Sequence, residues 1–252
     1  MKMQGNTVFI TGGTSGIGKC LAEVLHERGN QVIITGRRQQ RLEEICQRHP
    51  GMRYYALDVT SLGAIQAVAR KAIAEFPALN VVFNNAGVQM AFNFAPGHPL
   101  DDRALETEVS TNVLGPMRVA AAFLPHLSTR PDAVLVNVSS GLAFVPRARY
   151  PVYCATKAAV HTWTLSLRHQ LRDSGVKVVE LIPPAVVTEL GGPGKPVSSS
   201  GIHARMSVET FTTETLKELE AGVEEIAVGD AKKLVAATSP EAVKKVFSVV
   251  NA

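Results

Sequence analysis

Tyr153 and Lys157 stand four positions apart in Tyr153-Cys-Ala-Thr-Lys157, with the serine pair Ser139-Ser140 upstream. A helix turns by about 100° per residue, so positions i and i+4 project from one face. A phenol held beside an ammonium loses its proton more readily than a free tyrosine, whose pKa is about 10. The neighbouring Tyr150 has Cys154 at its i+4 position and lacks that cation. Near the start of the chain, Thr11-Gly-Gly-Thr-Ser-Gly-Ile-Gly18 joins glycines to hydroxyls. A loop of this kind cradles phosphates when it follows a strand and opens a helix.

The surrounding sequence supplies that context. Val8–Ile10, Val32–Ile34, Tyr54–Leu57, Val81–Phe83, Val134–Val136 and Val176–Ile182 are short apolar runs, as expected of parallel strands covered on both faces. Helical patterns separate them. Ile17, Leu21, Val24 and Leu25 form one stripe, with Gly29 at the place of a C-terminal cap; Leu62, Ile65, Ala69 and Ile73 form another. The alternation predicts an α/β fold, a doubly wound parallel sheet with helices on both faces. With no second core and no internal repeat, residues 1–252 are expected to form a single dinucleotide-binding domain. Gly191–Gly201 is rich in turn formers and breaks the rhythm, which predicts a mobile loop. Val208, Phe211, Thr215 and Leu219 return to helical spacing. Ser239-Pro240 then opens a last helix whose stripe Val243, Val246, Phe247 and Val250 is expected to be buried.

Within the loop, Gly12 permits a tight turn, Gly16 lets the backbone approach a pyrophosphate, and Gly18 lets the helix pack closely. Thr14 and Ser15 add hydroxyls, and Ile17 opens the helix whose N-terminus faces the phosphates. The end of the second strand reads Ile34-Thr-Gly-Arg-Arg38, with no acid to take a ribose 2′-hydroxyl. A guanidinium from Arg37 or Arg38 suits a 2′-phosphate, which favours NADP(H) over NAD(H). The plainer alternative is two surface arginines at a helix start. Asp58-Val59 ends the third strand, where adenine contact is expected. Asn84-Asn85-Ala86-Gly87 ends the fourth, where small residues admit the cofactor; ordinary loop chemistry is the alternative for both.

Composition narrows the classes. The net charge of +4 is dispersed, so nothing prompts a nucleic-acid surface. Three widely spaced cysteines argue against a disulfide framework, and no apolar run reaches the roughly 18 residues of a membrane span. The N-terminus lacks a signal-peptide layout, so a cytoplasmic location is the default expectation. No histidine pairing suggests a metal, and no GxSxG elbow suggests a hydrolase.

Together, TGGTSGIG, the Asn84–Gly87 segment, Asn112, Ser140 and Tyr153–Lys157 resemble the short-chain dehydrogenase/reductase family, over about residues 6–190. The glycine spacing is similar to the family's main single-domain subgroup. The resemblance implies a seven-stranded Rossmann sheet, a nicotinamide cofactor, and hydride transfer between a carbinol and a carbonyl. It makes Tyr153 the catalytic acid/base and Lys157 its partner, which also binds the nicotinamide ribose. Ser140, thirteen residues before Tyr153, matches the catalytic serine, with Ser139 as fallback. Asn112 matches an asparagine that bends a helix and holds a relay water. Taken singly, Ser140 also reads as a strand-end turn, Asn112 as a polar helix residue and Lys157 as a solvated side chain.

One departure stands out. Relatives carry Pro-Gly after the sixth strand, where this chain has Pro183-Pro184-Ala185, similar to a bacterial subgroup named after teichoic-acid D-alanylation gene clusters. Val186 and Thr188 still match positions that contact the carboxamide and phosphate. Met90, Phe92, Phe94, Phe144 and Val145 either line an apolar substrate pocket or belong to ordinary packing. A substrate loop near residues 190–222 is expected to close over a small carbonyl or alcohol. By resemblance, helices around Leu105–Leu124 and Tyr153–Leu171 form a face for a homodimer or homotetramer. The reading from another class is a non-catalytic dinucleotide-binding sensor or scaffold on the same fold.

Overall fold

In a computed structural model, which describes residues 1–190 and 205–251, seven parallel strands form one sheet in the order β3-β2-β1-β4-β5-β6-β7. They are β1 (Thr7–Ile10), β2 (Gln31–Gly36), β3 (Arg53–Ala56), β4 (Leu79–Asn84), β5 (Val134–Val138), β6 (Lys177–Ile182) and β7 (Glu225–Ala227). Ile10 of β1 lies beside Ile34 of β2 on one flank and Phe83 of β4 on the other. The winding direction reverses between β1 and β4. That reversal opens a crevice at the carboxyl ends of the strands, where ligands of such sheets bind.

Alternation along β1 divides the core. Val8 and Ile10 face a cluster built with helices α1 (Gly16–Glu27), α2 (Gln39–Arg48) and, later in the chain, α7 (Val208–Glu220). Phe9 faces the other cluster, where Ile65 and Ala69 of α3 (Leu62–Glu75) meet Val119 and Phe123 of a helix on the same side. Phe9 and Phe123 rings pack 4.6 Å apart. A sheet buried on both faces explains the continuous apolar runs.

After β4 a single rod runs from α4 (Asp102–Val109) through a widened π-helical turn, Ser110–Leu114, into α5 (Gly115–Leu127). The asparagine expected to bend a helix sits inside that turn, and such bulges cluster at functional sites. The long α6 (Pro151–Gln170) follows β5, and α8 (Ala231–Val235) and α9 (Pro240–Val250) close the chain. Caps fall where side-chain chemistry places them: Asp101 accepts from Ala104 at 2.9 Å, Ser207 from Thr210 at 3.1 Å, and Ser239 from Ala242 at 3.1 Å. Gly29 takes its φ of +83° just past α1, as the stop signal requires.

One expectation changes. The stripe of α9 is not buried: no residue of that helix is buried, and Phe247 is 37% exposed. Apolar spacing defines a face without defining what covers it. The expected loop at Gly191–Gly201 lies outside the described residues. Among the described residues, no helix is long and apolar enough to cross a membrane, and no cluster of His, Cys, Asp and Glu could hold a metal. The three cysteines are free.

Candidate active site and cofactor cleft

The glycine loop is stitched to the end of β4. Thr11 donates its hydroxyl to Phe83 O and accepts from the backbone N–H of Asn85 and Ala86 at 3.0 and 3.1 Å. The Asn85 amide donates to Thr11 O at 2.9 Å and Gly12 O at 3.2 Å. Gly12 has φ +70°, and a Cβ there would stand 2.8 Å from Ala86 Cα. Gly16 has φ +54°, and its Cβ would meet Thr188 Cγ2 at 2.9 Å, so Thr188 rests on the loop. At Gly18 a Cβ would strike the Asn85 amide at 2.3 Å and Gly12 O at 2.5 Å. The third glycine therefore makes room for the β4 exit.

The start of α1 faces this crevice without an anion of its own. Its first turn holds no acid, and Ser15 at the N-cap makes no side-chain cap bond. Instead Arg38 lies across the loop, donating to Thr14 Oγ1 at 2.8 Å and Ser15 Oγ at 2.9 Å. Its other Nη donates to Glu189 at 2.8 Å, and Arg41 donates to both oxygens of the same carboxylate at 2.8 Å. Both arginines of the pair are exposed, and Arg38 is the one whose guanidinium bonds the loop. Arg41 went unnoticed in the sequence, because the carboxylate that joins it to Arg38 lies 148 positions away.

Asp58 closes a turn, accepting from Thr60 N–H at 2.9 Å and its hydroxyl at 2.8 Å, the ordinary loop chemistry held open for it. Val59 is buried, and packs against the place a Cβ on Gly115 would occupy. Pro183 accepts from Gly141 N–H at 3.0 Å, tying the β6 exit to the serine turn. Val186 is buried and bridges to Met206.

Tyr153, Lys157, Ser140 and Asn112 are all buried. Lys157 donates to Val138 O at 2.8 Å, and its nitrogen lies 5.7 Å from the Tyr153 ring centre. Ser140 lies two residues past β5, accepts from Leu142 N–H at 3.1 Å, and its hydroxyl acts on the Tyr153 phenol. Ser139, the fallback, is already committed: its hydroxyl donates to Glu180. Asn112 clamps the chain after β4, accepting from Val88 N–H and donating to Val88 O, each at 2.9 Å, and donating to Thr156 at 3.1 Å. A Cβ on Gly87 would stand 3.4 Å from Asn112 Oδ1 and 3.7 Å from Lys157 Nζ, so this glycine separates the two.

Charge behaves differently from the sequence expectation. Burial pushes the Tyr153 phenol above its ordinary value, the Ser140 hydrogen bond draws it back, and the charges of Cys154 and Glu108 add to the rise. Burial lowers Lys157 to about 8, opposed by the negative charges of Glu108 and Glu180. Desolvation of the charged forms outweighs the attraction that the i+4 spacing suggested.

Two buried acids were missed. Glu180 sits in β6, fully buried, receiving Ser139 on one oxygen and His161 Nδ1 at 2.8 Å on the other. Glu108, four residues before Asn112, is likewise fully buried. An acid inside the apolar run Val178–Ile182 was a visible signal; nothing marked Glu108 apart from its spacing. Of the expected pocket residues, Val145 is core and Phe94 is 60% exposed, while Phe144 packs against the His161 ring, tilted by 56° with the ring centres 4.5 Å apart.

Residues 6–195 match the model of the short chain dehydrogenase family. An uncharacterised oxidoreductase, DltE of Bacillus subtilis, is 44% identical over 228 residues, covering 90% of this chain and 89% of its own. The NADP-dependent 3-hydroxy acid dehydrogenase YdfG of Escherichia coli K12 is 34% identical, over 71% of this chain and 72% of its own. A short chain dehydrogenase of Burkholderia cenocepacia solved with NADP superposes with a TM-score of 0.84, covering 98% of this chain and 99% of that one, at 24% identity.

Proposed function

This chain is an oxidoreductase belonging to the short-chain dehydrogenase family, and from that premise we propose that it transfers hydride between NADP(H) and a small carbonyl or alcohol substrate, with Tyr153 as general acid/base. The observation that carries the reading is the convergence of Tyr153, Lys157, Ser140 and Asn112 beside the glycine-loop crevice.

The crevice fits a dinucleotide. Gly12 and Gly16 take the positive φ that the turn before α1 needs, and the α1 N-terminus, with no acid in its first turn, offers unpaired N–H groups. Gly12, Thr14, Ser15, Gly16, Ile17 and Gly18 would hold the pyrophosphate, and Arg38, with Arg37 and Arg41 nearby, a 2′-phosphate. Asp58 and Val59 would border the adenine; Asn85, Ala86 and Gly87 would line the middle of the cleft. Lys157, Pro183, Val186 and Thr188 would border the nicotinamide half. Bound there, NADPH supplies the hydride and, once oxidised, a positive ring. YdfG, 34% identical, is named as NADP-dependent, which supports the same preference here.

In reduction, Tyr153 donates its proton to the substrate oxygen while Ser140 hydrogen-bonds that oxygen and stabilises the negative charge that develops on it. A buried phenol with a raised pKa is protonated at neutral pH, which suits the donor role. Lys157 offers the compensating charge when the phenolate forms. Asn112 fixes Val88 and Thr156, and so the floor of the site.

We place the reaction in one domain over residues 1–252, with a substrate loop near 190–222 that includes α7. Association into a homodimer or homotetramer is part of the same reading; Leu114 beside α5 and Leu165 on α6 are 37% and 42% exposed. The test is NADPH oxidation across aldehydes, ketones and quinones. Turnover with at least one class supports the enzyme; tight NADPH binding without turnover across the panel supports a sensor instead.

A further inference from the structure

Glu108 has no part in the reaction just described, yet it is fully buried on the wall of the site. One carboxylate oxygen accepts from Met90 N–H at 3.1 Å, and the other is buried with no hydrogen-bond partner. Interiors seldom leave such an atom unsatisfied without a reason. Its surroundings narrow that reason. Glu108 lies in the last turn of α4, four residues before Asn112, and the two grip alternate backbone units after β4: Asn112 holds Val88, Glu108 holds Met90. The ionisable groups that feel its charge are Tyr153, Cys154 and Lys157, all on α6. Lys157 is the cation among them. Glu180 also acts on Lys157, but both oxygens of Glu180 are already bonded by Ser139 and His161.

We propose that Glu108 is a positioning residue of the reaction, a buried carboxylate whose charge holds Lys157 in its ammonium form while its hydrogen bond to Met90 fixes the wall beside it. The inference rests on the oxidoreductase reading. The coupling is reciprocal: the ammonium favours the carboxylate as much as the carboxylate favours the ammonium. Burial lifts Glu108 to about 7, against the pull of the Met90 bond and Lys157, so it changes charge close to neutral pH. Above that point its negative charge opposes the burial that draws the proton from Lys157.

The experiment uses the full-length protein with Glu108→Gln, which keeps an oxygen for Met90 and removes the charge. Lysine side-chain NMR follows the Lys157 titration, and the pH profile of kcat/KM for carbonyl reduction is measured in parallel. The variant is expected to lower the Lys157 midpoint by about one unit, and the basic limb of the profile with it. KM for NADPH at acid pH stays at the wild-type value. Glu108→Ala, which also loses the Met90 bond, is expected to raise KM as well. An unmoved Lys157 midpoint, or a Gln profile superimposable on wild type, overturns the proposal. Should Glu108→Gln fail to fold, Lys157→Met serves in reverse: the one glutamate carboxyl titrating near neutrality must move to higher pH, and its failure to move refutes the coupling. A shifted Lys157 midpoint in a protein that turns over no carbonyl would keep the coupling and reject the hydride reading, so the two failures are distinguishable.

Discussion

Gly18→Ala tests how tightly the cofactor loop is built. The new methyl carbon would lie 2.3 Å from Asn85 Nδ2 and 2.5 Å from Gly12 O, both far inside contact distance. The Gly12 carbonyl is backbone and moves only with the loop. The Asn85 amide swings away only by giving up its bonds to Thr11 O and Gly12 O. Overpacking costs about 1–3 kcal/mol and each lost hydrogen bond about 1 kcal/mol, for a total of about 3–5 kcal/mol. With an unfolding entropy of about 2.1 cal/mol/K per residue over 252 residues, the melting temperature drops by roughly 6–9 °C. Thermal melts followed by circular dichroism read this directly, and NADPH titration of the folded variant should show weakened binding. Gly63→Ala is the control: nothing lies within 4 Å of its Cβ position in α3, so it should be neutral or slightly stabilising. A Gly18→Ala protein that melts with wild type would refute the close stitching of the loop to β4.

Other outcomes follow from the same geometry. Arg38→Ala removes the guanidinium over Thr14 and Ser15 and should weaken NADPH by about 10- to 100-fold while leaving NADH nearly unchanged, as read by fluorescence titration. Ser140→Ala should lower kcat by about 100-fold or more with NADPH affinity retained, measured by steady-state kinetics and cofactor titration. Glu108, raised from 4.5 to about 7, contributes stability that is complete below its unfolded pKa and lost as pH rises through its folded one. Denaturant melts should therefore show Glu108→Gln gaining on wild type between these pH values, by up to about 3 kcal/mol; parallel curves would contradict it.

The sheet was legible because parallel strands covered on both faces must be apolar throughout, and Val8–Ile10 and Val81–Phe83 are fully buried. β7 and α8 escaped notice, being three and five residues long and too short to show a period. The Tyr153–Lys157 pair and the glycine loop were legible as local spacing, and Ser140 and Asn112 through the family resemblance. What spacing could not reveal was partnership across the chain. Ser139 is taken by Glu180, 41 positions away, and Arg38 by Glu189, 151 away. Nor does spacing report burial: the Tyr153–Lys157 pair suggested a lowered phenol pKa, and desolvation drives it the other way. Glu108 was hardest to find, an acid among polar helix residues whose significance comes from being sealed beside α6.

The most direct measurement is NADPH oxidation by Tyr153→Phe against wild type with one competent carbonyl substrate. The account predicts that turnover falls by about 1000-fold or more while NADPH still binds at nearly wild-type affinity. A Phe variant that turns over at close to the wild-type rate would show that the proton comes from another group.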